Sequence, residues 1–123
     1  MTIAKVIPIL RIFNVEKAKE FYLEFLGFTS DWEHRFKENA PLYTQISKGG
    51  IVLHLSEHYE DCCPGSAVFV WVTGLDAYHQ ELVAKKYKYL CPEVEETPWE
   101  TRMMDVADPF GNHIRFNENL KRP

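Results

Sequence analysis

Gly49-Gly50-Ile51-Val52-Leu53-His54-Leu55 and, much later, Asp108-Pro109-Phe110-Gly111-Asn112-His113-Ile114-Arg115-Phe116 decide how this chain is read. Each is a glycine-bearing turn running into a short strand, and each closes a stretch that reads strand, helix, strands. Working outward, one constant spacing carries Asn14 to Gly74, Val15 to Leu75, Glu16 to Asp76 and Tyr22 to Leu82. One residue more carries Gly50 to Gly111, Leu53 to Ile114 and His54 to Arg115. The chain reads as an internal repeat, with Ile7 to Leu55 told again from Ala67 to Phe116.

In the first copy, Lys5 to Ile12 is an apolar run short enough to be a strand. Asn14 suits a helix N-cap and Glu16 the first turn, where the helix dipole favours a carboxylate. Val15, Ala18, Phe21, Tyr22 and Phe25 share one helical face, and Gly27 is placed to end the helix. Thr29–Phe36, Leu42–Ser47 and Ile51–Ser56 are expected as strands. The second copy opens on Ala67-Val68-Phe69-Val70-Trp71-Val72, apolar enough to be a strand buried on both faces. A helix faced by Leu75, Tyr78, Leu82 and Val83 follows, then strands over Tyr87–Glu96, Thr101–Ala107 and His113–Asn117, and a loose charged tail, Glu118–Pro123. The expected fold class is α+β: two tandem βαβββ modules forming a curved mixed sheet, with helices on the outer face. One domain over 1–123 is expected, with modules at about 4–56 and 66–117 and a polar linker, 57–65. The paired concave sheets would leave a cleft.

Composition bounds the function. The chain of 123 residues is 46% hydrophobic and 26% charged, ordinary for a soluble globular domain. No apolar run approaches the ~20 residues of a membrane span, and Met1–Leu10 lacks a signal-peptide pattern. Net charge is -4, and the 14 basic residues form no stripe, which argues against nucleic acid. Three cysteines (Cys62, Cys63, Cys91) make neither a disulfide framework nor a C-x-x-C motif, so reduced thiols in a cytoplasmic protein are expected.

Several segments together resemble the glyoxalase/bleomycin-resistance/extradiol-dioxygenase superfamily. They are Leu10-Arg11-Ile12-Phe13-Asn14-Val15, Phe21-Tyr22, Leu26-Gly27-Phe28 and Asp108-Pro109-Phe110-Gly111-Asn112. Val70-Trp71-Val72-Thr73-Gly74-Leu75-Asp76, Thr97-Pro98-Trp99 and Trp32 are similar, within it, to the bleomycin resistance proteins. The resemblance implies a homodimer with two interface crevices, each sequestering a bulky cationic drug without chemical change.

In metal-using members, ligands come from the first and last strands of each module. Those positions here are Ile7, His54, Ala67 and Arg115. A divalent site needs about three converging nitrogen or carboxylate donors. One histidine, two aliphatic side chains and a permanent cation do not supply them. No metal and no cofactor is therefore expected, and no catalytic residue. His54-Leu55-Ser56-Glu57-His58 spells H-x-x-E-H, but that zinc-protease signature works on a helix and this stretch alternates as a strand.

The ligand-binding candidates are Trp32, Phe36, Phe69 and Trp99, for stacking and cation–π contact, with Asp31 and Glu33 as carboxylates for a cationic group. Trp71, flanked by valines, reads rather as core or dimer interface. Cys62 or Cys63 beside His58 has nothing to orient it as a nucleophile. The expected function is antibiotic sequestration in a dimer crevice, without turnover. Two alternatives stand beside it. One is a lyase, isomerase or dioxygenase with an unconventional metal site, such as His54 with His113 and a glutamate. The other is a binder of an unrelated small molecule.

Overall fold

The computed structural model describes residues 1–87 and 92–120. In chain order the elements are β1 (Ile9–Arg11), α1 (Val15–Lys19) continued by a π-helical turn (Glu20–Phe25), β2 (Thr29–His34), β3 (Tyr43–Lys48), β4 (Ile51–Ser56), β5 (Ala67–Trp71), α2 (Leu75–Ala84), β6 (Glu95–Glu96), β7 (Thr101–Ala107) and β8 (His113–Asn119). They build two four-stranded mixed sheets of identical topology, β1-β4-β3-β2 and β5-β8-β7-β6, the outer pairs β1–β4 and β5–β8 being parallel. The fold is α+β, with two tandem βαβββ modules. The ladders carry the same equivalence as the sequence repeat: Ile9 lies opposite His54, and Phe69 opposite Arg115.

Two compact units result. The first comprises Met1–Ser66 together with Pro109–Asn112, the second Ala67–Asp108 with His113–Pro123. In the first, Leu10, Leu53, Leu55, Thr44 and Ile46 point to one side of the sheet and are buried there beneath the helix. Asn14 caps that helix by accepting from the Lys17 amide at 2.9 Å. The wider π turn, which Leu26 N–H closes on Phe21 C=O, accommodates the neighbouring Phe21 and Tyr22 side chains, both buried with Phe25. Tyr22 meets Phe21 and Phe28 edge-on at 5.0 and 6.1 Å.

The second unit buries Leu75 and Leu82 of α2 with Met104, Val106, Ile114 and Phe116 of its sheet. Gly74, where the first copy has Asn14, has no capping side chain. The Glu118 carboxylate replaces it, accepting from the Gly74 and Leu75 amides at 3.0 and 3.3 Å and placing a negative charge at the positive end of α2. Glu118 thus belongs to β8 rather than to a loose tail; residues 121–123 lie outside the described residues.

Three further expectations change. The first strand begins at Ile9, not Lys5, because Pro8 brings a carbonyl to His54 N–H but no amide of its own. Of the strand expected over Tyr87–Glu96, residues 88–91 (Cys91 among them) lie outside the described residues, and pairing is seen at Glu95–Glu96. The fifth strand is not buried on both faces. It is an edge strand with alternating exposure, and Phe69 and Trp71 are 51% and 60% exposed, so Trp71 is not core.

The turn before β8 is held within the first unit. Asn112, fully buried, donates to Arg11 C=O at 2.7 Å and accepts from Ser66 N–H at 3.1 Å. Phe110 packs on Phe13 at 6.1 Å, and the Arg11 guanidinium lies 4.5 Å over the Phe13 ring. Asn112→Ala leaves both backbone groups without these partners and is expected to cost about 2 kcal/mol. Urea unfolding will show this as a lower midpoint with an unchanged slope.

Candidate functional site

Period-two alternation that sends Leu53 and Leu55 inward sends Val52 and His54 to the other face of the first sheet, away from α1. Along β3 the same rule turns Tyr43, Gln45 and Ser47 outward. The β2–β3 register shifts between Ser30 and Trp32, a bulge at Asp31. The bulge re-aims Asp31 onto this open face, where its two carboxylate oxygens accept from Gln45 Nε2 at 3.1 Å and Ser47 Oγ at 3.0 Å.

Trp32 lies nearly parallel to Tyr43, with ring centroids 6.0 Å apart and planes 12° apart, and meets His54 edge-on at 5.3 Å. Tyr43 meets His54 at 5.1 Å and His58 at 6.5 Å, and Phe36 bridges His58 and His34 at 5.9 and 4.8 Å. The result is a continuous patch of aromatic and imidazole rings across one sheet face.

A hydrogen-bond chain runs beneath it. Tyr43 Oη lies 2.7 Å from His54 Nδ1, and His54 Nε2 lies 3.0 Å from Gln45 Oε1. Gln45 donates its amide to Asp31, so its carbonyl oxygen must accept from His54. His54 is then the Nε2–H tautomer, with Nδ1 accepting from the Tyr43 hydroxyl. Burial pushes the His54 pKa down and favours this neutral form. Burial also pushes the Tyr43 phenol up, with Asp61 and Cys62 adding to it, so the hydroxyl keeps its proton.

These contacts decide the metal question on donor chemistry. Both His54 nitrogens are engaged, Ile7 and Ala67 have no donor atom, and Arg115 is a cation whose Nε donates to Asp105 at 3.3 Å. His113 is tied through Nδ1 to the same Asp105 at 2.8 Å. The superfamily's ligand positions in this chain do not fit a divalent ion. Among the described residues, no group of three His, Cys, Asp or Glu side chains is arranged to hold one. The H-x-x-E-H stretch leaves β4 after Ser56, so no helix pairs its histidines, and Glu57 accepts from the Leu42 amide at 2.8 Å. The Cys62 thiol is pushed up by burial, then by Asp61 and Cys63 against a lowering by Arg11, which makes it a poor nucleophile.

The sequence candidates separate. Asp31, Trp32 and Phe36 share the open face of the first unit. Glu33 does not: alternation turns it to the helix side, where it pairs at the surface with Lys19 at 2.8 Å. Phe69 lies on the outward face of the second sheet, its ring 5.0 Å from Trp71. Trp99, 60% exposed, sits in the turn between β6 and β7, where Glu100 N–H bonds Thr97 C=O. Tyr43 and Gln45 are absent from the sequence candidates, and His58 enters there only through H-x-x-E-H and beside the cysteines. The signal for the first two is present, since Tyr43, Gln45 and Ser47 alternate with Thr44 and Ile46.

A family model described as glyoxalase superfamily protein matches residues 1–122, and the chain belongs to that superfamily, the glyoxalase/bleomycin-resistance group. Among solved structures it is similar to TnmS3, an antibiotic binding protein from Streptomyces sp. CB03234, at 25% identity and a TM-score of 0.77 over 97% of this chain and 98% of that one. It shares its fold with TioX from Micromonospora sp. ML1 (20% identity, TM-score 0.70, 95% and 100% covered). It also shares it with a bleomycin-binding protein complexed with bleomycin (17%, 0.70, 95% and 99%). No curated protein sequence matches. Among the described residues no helix is long and apolar enough to cross a membrane.

The lowered His54 pKa fixes a pH dependence. Between that pKa and the ordinary value of about 6.5, the folded chain binds fewer protons at His54 than the unfolded chain does. The stability this contributes is complete above about pH 6.5 and is lost as pH falls through the folded value. Urea unfolding from about pH 7.5 to about pH 5 is expected to show this decline, and His54→Gln to flatten it. Ring ¹⁵N spectra should show the proton on Nε2.

Proposed function

We propose that this chain is an antibiotic-sequestering binding protein that takes up an aromatic, drug-sized compound of the bleomycin type and releases it unchanged. The observation that carries this reading is the ring patch of Trp32, Tyr43, His54, His58 and Phe36 over an internally satisfied hydrogen-bond chain. Such a surface offers broad π contact and a fixed shape. It offers neither a metal nor an activated nucleophile to the bound molecule.

Trp32 and Phe36 are the stacking residues of the reading, and Asp31, beside Trp32, supplies negative charge for a cationic group. Phe69 and Trp99 are further ligand contacts on the second unit, while Glu33 leaves the set. The exposed Phe69 and Trp71 on edge strand β5 favour a homodimer, in which such apolar area would be covered. The names of TnmS3 and the bleomycin-binding protein support the drug class. Protection would follow from mass action, so the protein has to match the drug in concentration.

Calorimetric titration with bleomycin, with and without copper, tests this. Saturable binding is expected, with Trp32→Ala weakening it about tenfold or more. Mass spectrometry of the recovered drug is expected to find it intact. Absence of heat in both titrations, or a chemically altered drug, would overturn the proposal.

A further inference from the structure

The outward face of the second sheet repeats the geometry of the first with different chemistry. Where the first row reads Ile9, His54, Gln45, the second reads Phe69, Arg115, Asp105 across β5, β8 and β7. Asp105 has both oxygens occupied: Oδ1 holds His113 Nδ1 at 2.8 Å and Oδ2 accepts from Arg115 Nε at 3.3 Å. The carboxylate therefore fixes the arginine by its inner nitrogen alone. The terminal Nη pair has no hydrogen-bond partner among the described residues, and the side chain is 43% exposed. Phe69 flanks Arg115 in the ladder, and the Trp71 ring lies 5.0 Å from Phe69 at 74°.

A guanidinium anchored through Nε with its fork open is preorganised for two parallel bonds to an oxyanion. A Lys at this place would offer only a point charge. Phe69 and Trp71 are exposed rings on the strand that pairs with β8, and an aromatic body could lie on them.

We infer that the outward face of the second sheet is an oxyanion subsite, in which the Arg115 Nη fork receives the carboxylate or acidic phenolate of an aromatic ligand lying on Phe69 and Trp71. The inference rests on the reading of this chain as a binder of aromatic compounds and adds the acidic group that its ligand carries. Asp105 is a positioning residue, not a contact.

Calorimetric titration of the full chain with 2-naphthoate and with its uncharged counterpart 2-naphthamide is the test. The carboxylate is expected to bind about tenfold or more tightly than the amide, since charge-assisted bonds at a half-exposed arginine distinguish the two. Arg115→Gln should erase the difference by weakening carboxylate binding, and Arg115→Lys should retain part of it. Thermal unfolding by circular dichroism verifies that both variants fold. Equal binding of the two probes, or a carboxylate preference that survives Arg115→Gln, overturns the subsite and leaves drug sequestration standing. Failure of both probes to bind also overturns it, and the bleomycin titration then decides the sequestration reading separately.

Discussion

The helix in each unit covers one side of a four-stranded sheet, and strand alternation then commits every second residue to the uncovered side. Leu53 and Leu55 cannot be buried without exposing His54; Thr44 and Ile46 cannot be buried without exposing Tyr43 and Gln45. A slip of one residue would bury the imidazole and expose the leucines, so the core fixes the register of the open face. The polar atoms left on that surface are satisfied among themselves. Tyr43, His54, Gln45, Asp31 and Ser47 form one connected chain, and no buried side-chain polar atom among the described residues lacks a partner. Such a surface is held in one arrangement by its own hydrogen bonds.

The two copies keep the scaffold and diverge on the open face. His54 and Arg115 hold equivalent places in equivalent ladders, yet one is a neutral ring in an aromatic patch and the other a cation beside a carboxylate. Neither offers a free donor atom: both His54 nitrogens are hydrogen-bonded, and Arg115 is a cation. This is how a superfamily that includes antibiotic-binding proteins can hold its topology constant while the chemistry of the face changes.

Much of this was legible in the sequence. The strand–helix–three-strand repeat follows from local signals: Asn14 as cap, the spacing of Phe21, Tyr22 and Phe25, and the glycines before β4 and β8. The strand Thr101–Ala107 has the bounds expected of it, closed by the Asp108-Pro109-Phe110-Gly111 turn. Sequence proximity misled where alternation should have been applied. Glu33 was grouped with Trp32, although adjacent strand residues face opposite ways, and Asp31 joined Trp32 only because of a bulge that no residue type announces. For Trp71 the valine neighbours suggest core or dimer interface; the valines turn the other way, and its exposure leaves only the second of these. The Glu118 cap on α2 was hidden because its partners lie 43 and 44 residues away. Long-range pairing of that kind has no local pattern.

The turn Pro109–Asn112 follows most of the second unit in sequence, yet its contacts complete the first unit. Translation therefore delivers the first sheet and helix long before the asparagine that ties Arg11 to Ser66. The first unit is complete only when residues carried within the second half of the sequence are in place. The two halves do not close independently: the earlier one is sealed by a turn that the later one carries.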